Sequence, residues 1–399
     1  MKKTDRVILH CDLNNFFASV SLLFNQTLVN RPVAVAGDAK KRHGIILAKN
    51  EQAKKYGVKT AEVIWQAKQK CPDLIILPPD YKRYEEYSLA AREIYKRYTD
   101  MVEPFGIDEC WLDVTGSTML FGSGTEIAQR IRREIKEELG ITVSVGVSFN
   151  KVFAKLGSDL KKPDAVTVIS RQNFKEKVWP LAIENMLFAG KKSVKRLNES
   201  GVFTIGDITL CSDEMLEKLL GVAGIQLKKY AAGLDDSPVK DVSAQEIPKS
   251  IGRSVTGEED FTNNDEVYEV FVNLCEEISK RLRKHGLYAG GIQVHTRNSE
   301  LKVKEFSLTP IQPTDMCMTL AHKAMELFRQ NYYWNLPLRS VGVRAINLKG
   351  TQTAVQQSLF ENTDSEERLK KIEDSIYEIR DKFGDGIIKR GRTCREKKQ

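Results

Sequence analysis

No stretch of this 399-residue sequence approaches the roughly 18 consecutive apolar residues that a membrane-spanning helix needs, so we expect no membrane segment. Near the start, the apolar run at residues 7–9 is broken by His10 and Asp12, which argues against a secretory signal. The seven cysteines are scattered and include no Cys-x-x-Cys pair, which argues against a zinc site. We therefore expect a reduced, cytoplasmic protein.

The composition excludes a disordered or collagen-like chain, because hydrophobic residues make up 41% and charged residues 29%. At roughly 150 residues per domain, the length predicts two to four folded units. The formal net charge is +8, but residues 389–399 contain six basic side chains and one acid. Bulk charge is thus weak evidence for a nucleic-acid partner, and each basic cluster has to be judged where it stands.

The first 168 residues predict a split βαββαβ unit with an insertion at 16–79. Apolar periodicity, a Ser123-x-x-Glu126 capping box and a stop at Gly140 define the elements. In order they are a strand at 6–12, a helix at 83–100, a β-hairpin at 102–114, a helix ending at Gly140 and a strand at 142–148.

Beyond that unit, short helices punctuated by glycine run from about 170 to 240, and a polar linker follows at 235–248. A second α+β domain is predicted next, with strands at 249–257, 289–297, 302–308 and 339–348 and helices at 264–285 and 314–332. A polar stretch at 350–363, an amphipathic helix ending at Phe383 and a basic tail complete the chain. The fold class is therefore α+β and multidomain.

Three carboxylates are the sharpest chemical feature. Asp12 ends the first strand, while Asp108 and Glu109 lie at the hairpin turn, so the acids converge if these strands are neighbours. Such crowding of negative charge is costly unless cations neutralise it, and two Mg²⁺ ions would do so while supporting phosphoryl transfer. The alternative is that Asp108 and Glu109 are ordinary solvated residues of a turn, since acidic residues are common in turns.

Four ordered motifs resemble those of the Y-family translesion DNA polymerases. They are CDLNNFFASV (11–20), GIDECWLDVTG (106–116), VSVGVSFNKVFAKLGSDLKKPDA (143–165) and KSIGRSVT (249–256). The resemblance implies a palm at 1–15 and 80–168, fingers at 16–79, a helix-hairpin-helix thumb at 169–236, a linker at 237–248, a little finger at 249–349 and a tail at 350–399.

The resemblance also implies an active site. Asp12, Asp108, Glu109 and the backbone carbonyl of Leu13 would bind two Mg²⁺ ions. Phe17 falls at the steric gate that excludes a ribose 2′-hydroxyl. The other implied nucleotide-binding residues are Asn15, Phe16, Lys54 and Lys162. In the fingers, Glu51 and Lys54 stand where tyrosine and arginine are usual, a pattern closer to the polymerase V branch.

Contacts with DNA and with a sliding clamp are implied as well. The residues expected to touch DNA are Gly190, Lys191, Lys192 and Lys195 in the thumb, and Arg253 and Arg297 in the little finger. Ala189 replaces the first glycine of the thumb hairpin. Gln356, Leu359 and Phe360 resemble the Q-x-x-L-F peptide that docks on the bacterial clamp.

Together these features predict a monomeric, template-directed DNA polymerase of low fidelity that acts in translesion synthesis and DNA repair. Its partners would be primer-template DNA, deoxynucleoside triphosphates and the replication sliding clamp. Two alternatives stay open: a non-catalytic, clamp-associated DNA-binding relative of the same fold, and a palm-type nucleotide cyclase. The first should lack a metal-binding acid, and the second has no use for a thumb or a clamp peptide.

Overall fold

A computed structural model of the chain describes residues 6–38, 44–241, 247–350, 363–384 and 387–388, with side chains omitted at 363–367. The chain divides into two compact units, one formed by nearly all residues up to 245 and one by the residues from 246 onward. In the described part of the chain, no helix is long and apolar enough to cross a membrane.

The first unit contains eight strands and twelve α-helices within its described residues. The strands are β1 (Ile8–Leu13), β2 (Val33–Ala36), β3 (Ile46–Lys49), β4 (Ile75–Leu77), β5 (Val102–Pro104), β6 (Glu109–Asp113), β7 (Val143–Ser148) and β8 (Val166–Ile169). The helices are α1 (Phe16–Leu23), α2 (Glu51–Lys55), α3 (Ile64–Lys70), α4 (Tyr81–Lys96), α5 (Thr118–Phe121), α6 (Gly124–Leu139), α7 (Lys151–Leu160), α8 (Phe174–Val178), α9 (Lys191–Glu199), α10 (Ile205–Leu210), α11 (Asp213–Leu220) and α12 (Val222–Ala231).

A five-stranded sheet in the order β5-β6-β1-β7-β8 forms the centre of the first unit. Strand β1 is antiparallel to both β6 and β7, so the predicted neighbourhood of the first strand and the hairpin is confirmed. The predicted βαββαβ order is also confirmed. Strand β8, which pairs in parallel with β7 after the crossover helix α7, extends the sheet by one strand that the sequence analysis did not identify.

The two faces of this sheet differ in chemistry because side chains alternate along a strand. Leu9, Cys11 and Leu13 of β1 face a core shared with α4 and α6. That core forms because α6 is amphipathic, with Ile127 and Ile131 buried, and starts at the predicted Ser123–Glu126 capping box. His10 and Asp12 face the other side, beneath α7.

Helix α7 lies unusually close to the sheet, and a glycine makes this possible. A Cβ atom placed on Gly146 of β7 would lie 1.8 Å from the carbonyl oxygen of Ala154 and 2.5 Å from the backbone nitrogen of Ser158. No side chain fits there without moving the helix. Asn150 anchors the start of α7, since its side chain accepts a hydrogen bond from the Phe153 N–H at 2.8 Å.

The insertion after β1 folds around its own small sheet, in the order β3-β2-β4. Strand β2 is antiparallel to β3 and parallel to β4, and its core includes Ala34, Ile46 and Ala53. Helix α1 precedes this sheet, and its Phe16 and Val20 belong to the core of the central sheet instead. Helices α8 to α12 enclose a separate core.

The second unit is an α+β domain built from nine elements within its described residues. They are β9 (Ile251–Phe261), α13 (Asn264–Lys284), β10 (Leu287–Tyr288), β11 (Gly291–Asn298), β12 (Val303–Leu308), α14 (Cys317–Asn331), β13 (Leu338–Ile346), β14 (Lys349–Gly350) and α15 (Thr363–Phe383). The sheet order is β12-β11-β13-β9, and α13 and α14 cover one face. The predicted order of strands and helices in this domain is confirmed.

Helix α15 contacts α13 and the start of α14 through charged side chains. The buried carboxylate of Glu373 accepts hydrogen bonds from the backbone N–H groups of Cys317 (2.6 Å) and Met318 (2.9 Å), at the start of α14. Arg283 pairs with Asp374 at 2.7 Å, and Arg380 pairs with Glu276 at 3.2 Å. The predicted helix is confirmed, but four residues of its apolar stripe, Leu369, Ile372, Ile379 and Phe383, are exposed.

Candidate active site

The three acids singled out in the sequence come together at the paired ends of β1 and β6. Asp12 lies directly opposite Glu109 in the antiparallel register. The backbone N–H of Leu13 donates to the carbonyl oxygen of Asp108 at 3.0 Å. Asp12 is only 6% exposed, so its carboxylate sits in a largely dry environment.

Helix α4 holds the hairpin turn that carries Asp108. The hydroxyl of Ser88 donates to the carbonyl oxygen of Ile107, and the guanidinium of Arg92 donates to that of Gly106 at 3.1 Å. Gly106 has φ = 114°, a conformation that residues with a Cβ rarely adopt, which accounts for a glycine at this position. Ser88 and Arg92 were not singled out in the sequence.

Two lysines neutralise part of the negative charge. The Lys162 ammonium lies 2.7 Å from Asp12 Oδ2 and 2.8 Å from Asp159 Oδ1. Lys155 lies 2.5 Å from Glu109 Oε2. Within the described residues, no three His, Cys, Asp or Glu side chains are grouped closely enough to hold a metal ion in this conformation. Lys162 was predicted to lie in this site, and Lys155 was not.

Burial raises the pKa of Asp12 to about 7, although the charge of Lys162 acts in the opposite direction. Burial, reinforced by the charge of Glu109, also raises the pKa of Asp108. Burial acts to raise the pKa of Glu109 too, but the contacts of its carboxylate with His10 and Lys155 outweigh burial, and the pKa is lowered. The lysines therefore do not fully offset the cost of burying the charged forms of Asp12 and Asp108.

A buried histidine lies under Glu109. His10 Nε2 is 3.4 Å from Glu109 Oε2, and Nδ1 is 2.8 Å from the hydroxyl oxygen of Ser158 on α7. The ring also meets the edge of Trp111, with 5.3 Å between ring centroids. Burial lowers the pKa of His10, so the ring is neutral at pH 7. His10 precedes Asp12 by two residues on the same strand face, a signal that the sequence analysis left unused.

Phe17 lies on α1, four residues after the end of β1, and is held by two tyrosines of α4. Its ring stacks on Tyr84 at 4.2 Å between centroids and 10° between planes, and it meets the edge of Tyr81 at 6.0 Å. Phe16 points into the core and is 3% exposed. Of the two phenylalanines, Phe17 is the half-buried one, and its ring is fixed in orientation.

Asn15 and the two unusual finger residues form one cluster. The side-chain amide of Asn15 donates to Glu51 Oε1 at 2.9 Å, which links the end of β1 to α2. Lys54, one turn along α2, lies 3.6 Å from the same Glu51 oxygen. The glutamate thus pairs with two of the predicted nucleotide-binding residues, Asn15 and Lys54, an arrangement that a tyrosine at this position would lack.

The predicted thumb residues lie around the start of α9. Gly190 is the N-cap residue, Lys191 and Lys192 open the helix, and the exposed Lys195 lies 3.8 Å from Glu199. The backbone N–H groups of Ala189 and Gly190 already donate to Met186 and Phe188. Free N–H groups for a phosphate would therefore come from the first turn of α9.

In the second unit, the two predicted arginines lie on opposite faces of the sheet. Arg253 pairs in register with the buried Val343 and lies 2.9 Å from Glu277 of α13, on the helix side. Arg297 is exposed on the other face, two residues from His295. The proposed clamp peptide, Gln356, Leu359 and Phe360, lies outside the described residues.

Comparisons with known proteins agree with this fold. The profile of the impB/mucB/samB family matches residues 11–159, and the C-terminal domain of the same family matches residues 248–359. A DNA polymerase IV of Acetivibrio thermocellus is 47% identical over 386 residues, covering 97% of each chain. The DNA polymerase IV 1 of Bacillus subtilis is 33% identical and covers 99% of this chain and 95% of that one.

Among solved structures, a Y-family DNA polymerase chimera superposes with a TM-score of 0.79 at 26% identity, over 86% of this chain and 100% of the chimera. The family matches and the polymerase relatives show that the chain is a DNA-directed DNA polymerase. The chain belongs to the impB/mucB/samB family of Y-family DNA polymerases.

Proposed function

We propose that this chain, a DNA-directed DNA polymerase of the translesion type, joins deoxynucleotides to a primer 3′-hydroxyl at Asp12, Asp108 and Glu109 with two Mg²⁺ ions. The observation that carries the proposal is the register pair of Asp12 with Glu109, beside the turn that carries Asp108. Primer-template DNA and deoxynucleoside triphosphates are the substrates of such an enzyme.

The donor set suits Mg²⁺, which prefers carboxylate and carbonyl oxygens. Asp12, Asp108, Glu109 and the carbonyl of Leu13 are all oxygen donors. Burial destabilises the charged form of Asp12 and raises its pKa to about 7, and a bound divalent cation would offset that cost. When bound, the ions would supply charge stabilisation and activate the attacking hydroxyl. The carboxylates must exchange Lys155 and Lys162 for the ions.

The side chains of this chain orient the nucleotide. Lys162, once released from Asp12, carries a charge that can reach a triphosphate oxygen, and Lys54 supplies a second cation from the fingers. The ring of Phe17, fixed against Tyr84, fills the space beside the sugar. Because a stacked ring cannot yield without overpacking its neighbours, it would exclude a ribose 2′-hydroxyl.

DNA would be held by contacts that carry no sequence information. The first turn of α9, with Lys191, Lys192 and Lys195, can bind backbone phosphates, as a template-general enzyme requires. In the second unit, Arg297 offers a positive group on the open face of the sheet, whereas Arg253 would have to leave Glu277. We further propose that the enzyme works as a monomer and binds the sliding clamp through residues 356–360.

The test of the assignment is Asp108→Ala, with Asp100→Ala as the matched control because Asp100 is an exposed acid away from the paired strand ends. Primer extension in Mg²⁺ should be lost in Asp108→Ala and kept in Asp100→Ala, while both variants bind primer-template DNA like the wild type. Undiminished synthesis by Asp108→Ala would refute the metal assignment. A wild-type chain that binds DNA but never extends a primer would favour the non-catalytic alternative.

A further inference from the structure

The turn that precedes α9 carries an aromatic ring at the surface. Phe188 is 62% exposed, whereas its neighbours Leu187 and Ala189 pack against the core of helices α8 to α12. The ring of Phe188 lies beside that of Tyr230 on α12, with 6.0 Å between centroids and 39° between planes. Phe188 is thus oriented by one neighbour, but it does not belong to the buried core described for these helices.

The backbone of Phe188 is strained, which makes its exposure informative. Its φ is 69°, in the left-handed region that glycine adopts freely and that residues with a Cβ adopt only at a cost. The left-handed position of this turn is therefore Phe188 and not Ala189, which the sequence analysis took for the replaced glycine. Hydrogen bonds close the turn, from the Ala189 N–H to the Met186 carbonyl at 3.0 Å and from the Gly190 N–H to the Phe188 carbonyl at 3.1 Å. A glycine would allow the same turn without strain, so the fold alone does not account for a phenylalanine here.

The charge around the ring indicates a nucleic-acid ligand. Helix α9 begins three residues after Phe188, and residues 191–196 contain four basic side chains and no acid. Lys191, Lys192 and Lys195 are exposed. An aromatic ring on a positively charged surface is the combination that binds nucleic acid without sequence preference, because the cations attract phosphates and the ring packs against apolar parts of the nucleotide. An uncharged apolar partner would gain nothing from the lysines.

We propose that Phe188 is a DNA-contacting residue whose ring packs against a deoxyribose of the strand held at the start of α9. This inference rests on the proposed binding of DNA phosphates by α9, and it adds a contact that is apolar rather than electrostatic. Consecutive phosphates of a strand are joined through a sugar, so a ring beside a phosphate-binding turn meets deoxyribose carbons. These carbons are the same at every position, so the contact carries no sequence information. Its effect would be to slow dissociation of the enzyme from primer-template DNA.

The test compares Phe188→Gly, which removes the ring and relieves the backbone, with Phe188→Tyr, which keeps the ring and the strained backbone. Phe203→Ala is the matched control, because Phe203 is a similarly exposed aromatic residue (59%) of the same helical region but precedes α10 instead of α9. The dissociation constant of a fluorescent primer-template duplex is measured by anisotropy over a series of salt concentrations, with Lys192→Ala for comparison. Thermal unfolding and single-turnover extension of prebound primer are measured in parallel.

We expect Phe188→Gly to weaken DNA binding by about fivefold or more, while Phe188→Tyr and Phe203→Ala bind within about twofold of the wild type. The dependence of log Kd on log salt concentration should keep its slope in Phe188→Gly, because no charge is lost, whereas Lys192→Ala should reduce that slope by roughly one. Phe188→Gly should melt at or above the wild-type temperature, since glycine adopts the left-handed conformation freely. Extension of prebound primer should proceed at the wild-type rate.

Wild-type DNA affinity in Phe188→Gly would overturn the proposal, as would an equal loss of affinity in Phe203→Ala. A Phe188→Gly variant that melts well below the wild type or does not fold would also overturn it, because the ring would then serve the fold. Unchanged DNA affinity with lost stimulation by the sliding clamp would assign the ring to a protein partner instead. Failure of the proposed function has a different signature: the wild type would not bind primer-template DNA, or Asp108→Ala would extend primers normally.

Discussion

Replacing Gly146 by alanine should separate α7 from the central sheet. The added Cβ would lie 1.8 Å from the carbonyl oxygen of Ala154, whereas ordinary contacts begin at 3.4 Å. The two nearest atoms, the Ala154 carbonyl oxygen and the Ser158 backbone nitrogen, both belong to the backbone, so no side-chain rotation relieves the clash. Helix α7 has to move by about 1.5 Å, against the anchor that Asn150 provides at its start.

The magnitude follows from the cost of overpacking, which is about 1–3 kcal/mol for a single extra methyl group in a tight core. In a unit of this size, each kcal/mol lowers the melting temperature by roughly 2–4 °C. The effect on synthesis should be larger, because α7 carries Lys155 and Ser158. A misplacement of about 1 Å in an active site can cost roughly 100-fold in rate.

The assay pairs thermal unfolding with single-turnover primer extension at saturating nucleotide. Gly116→Ala is the control, since a Cβ at Gly116 meets nothing within 4 Å. We expect Gly146→Ala to melt several degrees lower and to extend primers about 100-fold more slowly, with Gly116→Ala near the wild type. Wild-type melting and extension in Gly146→Ala would refute the argument that the sheet sets the position of α7.

Four further predictions concern other parts of the molecule. Phe17→Ala should reduce discrimination against ribonucleotides by roughly 5- to 150-fold, the equivalent of about 1–3 kcal/mol of overpacking, and unchanged sugar selectivity in competition assays would contradict the gate. Replacing Gln356, Leu359 and Phe360 by alanine should leave basal synthesis intact and remove stimulation by the sliding clamp; equal stimulation would exclude this peptide. In divalent-free buffer, Asp12→Asn should become more stable relative to the wild type as the pH rises from about 4 to 7. The folded-state pKa of Asp12 is about 7, so the wild type loses stability over that range while the asparagine variant, which does not titrate, keeps it. A melting-temperature difference between the two proteins that is independent of pH would contradict this prediction. Glu373→Gln should lower the free energy of unfolding of the second unit by about 1–2 kcal/mol, because it weakens the contact with the start of α14. Denaturant unfolding measures this change, and Glu378→Gln, at an exposed acid of the same helix, is the control.

The second unit was predictable from sequence because its strands alternate and its helices carry long apolar stripes. Residues 291–298 alternate between core and surface, and α15 repeats apolar residues at three and four, so the period alone identifies both. Strand β8 was missed because it is four residues long and only half of them are buried. The strands of the insertion are similarly short, and the parallel pairing of β2 with β4 depends on contacts distant in sequence.

The acids of the active site were predictable because a motif placed them at strand ends. Their surroundings were not. Lys155 reaches Glu109 only because α7 crosses the sheet at Gly146, and a lysine in a helix carries no sign of what it faces across 46 positions of sequence. Likewise, Arg253 and Arg297 lie on opposite faces of the sheet because of the strand register. That register cannot be predicted from the presence of a basic residue on each strand.

Helix α15 has a practical consequence for anyone shortening this protein. A version cut after β14 would leave the N–H groups of Cys317 and Met318 without their acceptor. It would also leave Arg283 without Asp374 and Glu276 without Arg380. Reduced DNA synthesis by such a truncated polymerase would then result from damage to the second unit. It would be misread as evidence about clamp recruitment.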